Sequence, residues 1–234
     1  MQNQSMFRLV NFALLCFVKV ISHIFFRFEL AWMGEKHDDP YKSDVRLIML
    51  LNHTSLYEPL FLGLIPFSFL LKFAMKGVSP GADKTLNRPI VGIFWKLVFP
   101  QIVAISRRRD KTWTKFMDKV SNKAIVCMAP EGRMKRPTGF DLHGKPMSVR
   151  GGFVDVLNLL DEGKMMIAYS GGLHHIQVPG QSFPNLFKTI KMNVEVLDIA
   201  NYKNSFESAD SPRKAMIADL QARLESNCPE EQPY

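Results

Sequence analysis

The chain is poor in cysteine: Cys16, Cys127 and Cys228 are the only three in 234 residues. They are odd in number and widely scattered, with no CxxC pair and no metal-ligand spacing, which excludes a disulfide scaffold and leaves no candidate metal site. A thiol usage of this kind places the protein in a reduced, cytoplasm-facing setting. No repeat of about 20 to 50 residues is present, which excludes solenoids and propellers. Pro/Ser/Gly-rich blocks and runs of one charge are also missing, so disorder is expected only at the two ends. No G-x-S-x-G segment occurs, which removes the nucleophile elbow of serine hydrolases. The basic clusters lack interleaved aromatics, so nucleic acid is not an expected partner. Uninterrupted apolar sequence is short as well. The longest uncharged run near the N-terminus, Leu9 to Val18, has ten residues, about half of what a membrane-spanning helix needs.

What is present is 47% hydrophobic and 22% charged sequence, enough apolar material for a full-sized core in one α/β domain with an N-terminal appendage. Lys and Arg exceed Asp and Glu to give a net charge of +8. That balance, with a pI near 9.4, favours an anionic partner such as lipid headgroups or a phosphorylated substrate. Met6 to Trp32 is strongly apolar yet interrupted by Arg8, Lys19, His23, Arg27 and Glu29. In a helix, Asn11, Lys19, His23 and Arg27 fall on one i, i+4 row, with Phe17, Val18, Ile21, Phe25 and Phe28 away from it. The expectation is an amphipathic helix lying in the headgroup layer rather than crossing the bilayer. No small-x-small cleavage site follows it, which argues against a signal peptide.

The segment 1–33 is accordingly expected to be the membrane-associating helix and 40–234 the α/β domain, separated by the polar GEKHDDP of Gly34 to Pro40. Beyond it, strand-length and helix-length patterns alternate. Val45 to Leu51 reads as a strand, Ser55 to Leu64 as a helix and Phe69 to Met75 as a strand. Arg88 to Val98 reads as a helix entered through Pro89, Gln101 to Ile105 as a strand, Lys111 to Val120 as a helix and Ala124 to Ala129 as a buried strand. Pro130 to Met147 is a long basic loop. Phe153 to Leu160 then reads as a helix ended by Gly163, Met165 to Tyr169 as a strand, and Pro212 to Leu224 as a helix capped by Ser211. Alternation of this kind specifies a mixed sheet covered by helices.

Three segments carry chemistry. Asn52-His53-Thr54-Ser55-Leu56-Tyr57-Glu58 puts an imidazole at a strand-to-helix junction with a carboxylate five residues on, an HX4E motif. A carboxylate bound to one imidazole nitrogen fixes the tautomer and raises the basicity of the other. Residues five apart on an ideal helix diverge by roughly 140°, so the pair meets only if His53 precedes the helix. Pro130-Glu131-Gly132-Arg133, followed by Lys135 and Arg136, opens a basic loop in which glycine permits close approach and guanidinium groups suit phosphate. Ile105-Ser106-Arg107-Arg108-Arg109 sets basic residues directly after a strand.

In order, NHTSLYE, LLKFAMKG, VAISRRR, APEGR and SVRGG resemble the glycerolipid acyltransferase family that includes the 1-acyl-glycerol-3-phosphate acyltransferases, over roughly Val45 to Tyr169. The resemblance implies an acyl transfer from acyl-CoA or acyl-carrier protein, as co-substrate and without a resident cofactor, to the hydroxyl of a lysophospholipid-type acceptor, with 1-acyl-glycerol-3-phosphate foremost. Lyso-aminolipid and glycerol 3-phosphate are the alternative acceptors, and a basic membrane-binding module without catalysis is the alternative outside enzymes. It further implies His53 as general base, Glu58 as its partner, Arg107 as a phosphate ligand, and Glu131 with Gly132 as the floor of the acceptor site. Glu58 stands where the family carries Asp. Arg133-Met134 occupies the place of the family's Thr-Arg, so the phosphate-binding guanidinium is either Arg133 or Arg136. The partners implied are a membrane surface and an acyl thioester, with the protein monotopic or peripheral on the cytoplasmic face.

Overall fold

The structure is a computed structural model that describes residues 2–34, 41–106, 108–121, 123–178, 180–181 and 183–233. The linker expected at Gly34 to Pro40 falls, from residue 35 onward, outside the described residues. Seven strands form one sheet: β1 (Arg27–Met33), β2 (Val45–Leu51), β3 (Gly77–Ala82), β4 (Ile102–Ile105), β5 (Ile125–Met128), β6 (Lys164–Ser170) and β7 (Thr189–Asp198). Their spatial order is β1-β7-β6-β2-β5-β3-β4. All neighbours are parallel except β6 and β7, so β1 and β7 run against the other five. The helices are α1 (Gln2–Phe25), α2 (Phe67–Lys76), α3 (Asp83–Leu86), α4 (Pro89–Val98), α5 (Lys111–Met117), α6 (Gly152–Leu157), α7 (Ile199–Asn204) and α8 (Pro212–Asn227), with a 3-10 helix at Glu58–Leu64.

The mixed, helix-covered α/β sheet expected from alternation is present. Central strand β2 shows why its sequence is apolar almost throughout: both of its faces are covered. Leu47, Met49 and Leu51 pack with Phe116, Phe153, Leu157, Met216 and Leu220 under α5, α6 and α8. On the opposite face, Ile48 and Leu50 join Leu60, Phe61, Phe69, Met192 and Val194. There the 3-10 helix, α1 and α2 form the other layer, with Leu15, Leu70 and Phe73 in contact.

Four expectations are corrected. Phe69 to Met75 is helix rather than strand: Phe69, Leu70, Phe73 and Ala74 are buried, an i, i+1, i+4, i+5 stripe, and Pro66 sets the start. The strand lies instead at Gly77–Ala82, whose GVSPGA sequence carries almost no strand propensity. The N-terminal helix does not run to Trp32. It stops at Phe25, and Arg27–Met33 pairs in parallel with β7 at the sheet edge. The helix read over Ser55 to Leu64 begins only at Glu58 and is of the tighter 3-10 kind, entered through Pro59. Ser211 stands at the N-cap of α8, but its side chain makes no capping bond.

In α1 the amphipathic pattern expected from the sequence is present. Its polar row faces the domain: Asn11 is 1% and Lys19 9% exposed. Asn11 Nδ2 donates to Leu97 O at 2.6 Å and to Val98 O at 2.8 Å, the last carbonyls of α4. Lys19 Nζ donates to Gly63 O at 2.5 Å, and His23 Nε2 lies 2.8 Å from the same oxygen. These side chains satisfy helix-end carbonyls that have no partner within their own helices. The apolar residues are left outside, with Phe17 63%, Ile24 57% and Leu9 59% exposed. By length and composition Met6–Phe25 is enough to cross a membrane, with a mean hydropathy of 1.7. Asn11→Ala should lower unfolding stability by about 1 to 3 kcal/mol, because two carbonyl partners of a buried amide are stranded. Denaturant melts of the purified protein measure it, and an unchanged midpoint would show that α1 is not held through these bonds.

Candidate active site

β2 ends at Leu51, and Asn52 then takes a left-handed conformation, φ 60°, which turns the chain sharply away from the strand direction. Its side chain stabilises that turn by donating to Ser170 O at 2.9 Å, across on the end of β6. His53 follows, and its peptide is gripped on both sides. Its N–H donates to Glu131 Oε2 at 3.0 Å, and its carbonyl accepts from Lys135 N–H at 2.7 Å. The ring lies with Nδ1 2.5 Å from Glu58 Oε1, and Thr54 N–H donates to that same oxygen at 3.1 Å. His53 therefore sits in the turn before the helix, the one arrangement in which residues five apart can meet. An ionised carboxylate only accepts, so Nδ1 carries the proton and Nε2 the lone pair.

Glu58 is buried, and the motif opens onto a cavity of about 650 Å³ lined by His53, Glu58, Gly132 and Arg133 at its polar end. The remainder of the lining is mostly apolar: Leu15 from α1, Phe69 and Phe73 from α2, Trp95 and Val98 from α4, with Ile48 and Leu50 from the sheet. Cavities of this size and character suit a mostly apolar small molecule fixed by a few polar groups. Burial pushes the Cys127 thiol, which also lines the cavity, up to about 12. A thiol so placed is not a nucleophile near neutral pH. Ser55, within the motif, is fully buried. Its Oγ donates to Gln177 Oε1 at 3.1 Å and accepts from Tyr57 N–H at 3.2 Å, a structural role.

The basic loop is brought to the same place, though not as a simple row of phosphate ligands. Gly132 has φ 62°, which L side chains rarely adopt. A β-carbon there would lie 3.5 Å from Arg150 Cδ, so the stem of Arg150 covers this glycine. Arg133 is ion-paired with the buried carboxylate of Asp141. Arg136 does not line the cavity; its N–H donates to Phe140 O at 2.8 Å, which turns the loop. Arg107 lies outside the described residues. Arg150, read in the sequence only as part of SVRGG, does line the cavity, as do Arg108, Arg109 and Arg213. Arg109 and Arg213 share Asp155, each at 2.6 Å. Arg150 could have been singled out because two glycines follow it at a helix start. Nothing in the sequence marks Arg213. Among the described residues no cluster of His, Cys, Asp and Glu is arranged to hold a metal ion.

Glu131 is 2% exposed. Burial raises its carboxyl to about 7, against the His53 N–H that favours the ionised form. Between the ordinary value of 4.5 and about 7 the folded chain holds a proton that the unfolded chain has released, so stability falls as pH rises through that window. Glu131→Gln keeps an oxygen for the His53 N–H and removes the ionisation. It should exceed the wild type in stability above pH 7 by on the order of 3 kcal/mol, the difference vanishing below about pH 4.5. Thermal midpoints of both proteins across this range test the assignment, and parallel pH curves would remove it.

No protein-family model and no curated protein matches the chain. Among solved structures it is similar to the 1-acyl-sn-glycerophosphate (LPA) acyltransferase PlsC from Thermotoga maritima, at 16% identity, covering 97% of this chain and 81% of that one, with a TM-score of 0.49.

Proposed function

We propose that the protein is an acyltransferase that moves a fatty acyl group from a thioester, acyl-CoA or acyl-carrier protein, to the hydroxyl of a lysophospholipid-type acceptor, 1-acyl-glycerol-3-phosphate foremost. The observation that carries this reading is the His53–Glu58 pair in the lining of a mostly apolar cavity. Nε2 of His53 takes the acceptor hydroxyl proton and the oxygen attacks the thioester carbonyl. The tetrahedral adduct collapses with loss of thiolate, which recovers the proton from the imidazolium. Glu58 favours that imidazolium. Transfer is direct, in keeping with a half-buried Cys127 whose pKa is raised and an engaged Ser55. The acceptor phosphate is assigned to the cationic region over Gly132, with Arg133 and Arg150 as its candidate ligands and Glu131 beneath it, and Arg107 is a further candidate by resemblance alone. The apolar cavity takes an acyl chain, for which burial contributes about 0.8 kcal/mol per methylene.

Association with a lipid surface is part of this reading. The outward face of α1 continues into exposed Ile90, Ile93 and Phe94 of α4, an apolar area without cover among the described residues. Its occupant is taken to be the bilayer, since α1 and α4 also wall the cavity. The +8 charge favours an anionic surface.

His53→Ala should abolish transfer and leave the fold intact, and Glu58→Gln should lower kcat by about 10² to 10⁴. Labelled acyl-CoA or acyl-carrier protein, incubated with a panel of lysophosphatidate, glycerol 3-phosphate and lyso-aminolipid, reads the reaction by lipid analysis. Turnover of His53→Ala within about threefold of wild type would remove the general base.

Replacing Phe17, Val20 and Ile24 together by Ser should release the protein from phosphatidylglycerol-containing vesicles in flotation without changing its melting midpoint, since these side chains touch solvent rather than the core. Equal flotation of both proteins would put the lipid contact elsewhere.

A further inference from the structure

The segment after α8 was opaque in the sequence, and it runs across the strand ends that carry His53. Asn193 Nδ2 donates to Asn227 O at 2.9 Å and Gln232 Nε2 to Thr189 O at 2.8 Å, which fasten the segment along β7. Between these points Glu231, itself partly exposed, lays its carboxylate against the strand-end loops. A β-carbon on Gly172 would lie 3.4 Å from Glu231 Cδ, so the carboxylate packs directly on the loop after β6. Oε1 accepts from Lys135 Nζ at 2.6 Å and from Asn52 Nδ2 at 3.2 Å. Oε2 stands 3.9 Å from Nδ1 of the buried His174. His174 in turn donates from Nε2 to Lys135 O at 3.0 Å.

One carboxylate thus joins three loops: the turn after β2 through Asn52, the basic loop through Lys135, and the loop after β6 through Gly172 and His174. Two of these residues adjoin or grip His53. Asn52 precedes it in the chain, and Lys135 N–H donates to its carbonyl. We infer that Glu231 is a positioning residue for His53, the clasp that sets the base against Glu58 and the cavity mouth. The inference rests on His53 being the base of the proposed transfer. None of Glu231, Lys135, Asn52 and His174 lines the cavity. An effect of Glu231 on turnover therefore passes through His53 and leaves substrate binding alone. The His174 imidazole and Lys135 hold the Glu231 carboxyl down at about 2, so the clasp is charged at any pH at which the imidazole is a base.

The test uses the full chain on vesicles, comparing wild type with Glu231→Gln, Lys135→Met and the double variant. Glu231→Gln should lower kcat about tenfold, in line with the sensitivity of proton transfer to small displacements, with both substrate KM values within about twofold. The double variant should lose no more than the worse single one, because both remove the same contact. The rate at which diethyl pyrocarbonate modifies His53, followed on its peptide by mass spectrometry, should rise severalfold in each variant while the melting midpoint stays close to wild type. Unchanged kcat, a loss confined to KM, or additive losses would overturn the clasp. Should the wild-type protein prove inactive on every acceptor, the functional reading fails while the His53 modification rate still decides: equal rates in wild type and Glu231→Gln sink the clasp.

Discussion

Asn52 holds a left-handed backbone conformation that costs a residue with a β-carbon about 1 kcal/mol or more, and the geometry of the site follows from how that cost is offset. Its amide is bound by the end of β6, which fixes the exit direction of β2. With that direction set, His53 meets Glu131 through its N–H, Lys135 through its carbonyl and Glu58 through its ring. Glu58 comes from the motif itself, while Glu131 and Lys135 both come from the loop after β5, so the imidazole is located by two neighbouring strand ends rather than by its own loop alone. Strand ends in α/β folds are suited to this, because neighbouring strands deliver their loops to one edge.

The elements legible in the sequence were those where one signal dominated. Val45 to Leu51 is apolar at nearly every position because both faces of a central strand are covered, and its boundaries were read correctly. The contact of His53 with Glu58 was readable because it depends on spacing and on where the helix begins. Phe67–Lys76 misled because its outward side chains, Leu71 and Met75 among them, are also apolar, which erases the helical stripe. Strand β3 was hidden in glycines and a proline, held in place by pairing rather than propensity. Strand β7 does alternate, with Ile190, Met192, Val194 and Val196 all buried, but with nothing in the sequence to say what it pairs with, its place beside β6 was out of reach. The contacts of Glu231 depend on distances between segments far apart in the chain, which no local pattern encodes.

The inward polar row of α1 and its outward apolar face have a common physical origin. The carbonyl of Gly63 ends the 3-10 helix and those of Leu97 and Val98 end α4. Each needs a donor, and a row of Asn, Lys and His at helical spacing supplies them without a loop of its own. Polar residues spent on that inner seam are unavailable to solubilise the outer face. The amphipathic pattern was thus real, but its polar side answers to the protein interior, where an unpaired carbonyl is more expensive than an exposed phenylalanine.

The wall between the cavity and the outer apolar surface is a single helix thick. Leu15 lines the cavity while Phe17, two residues on, faces away from it, and in α4 Trp95 lines it while its neighbour Phe94 is 40% exposed. With that face seated in a bilayer, an acyl chain in the cavity and the hydrocarbon outside would be separated only by side chains. Lateral exchange between the two would then proceed by rotamer motion, without the barrier of about 0.8 kcal/mol per methylene that a passage through water imposes. The residence time of an apolar occupant would be set by side-chain motion in that wall rather than by its solubility in water.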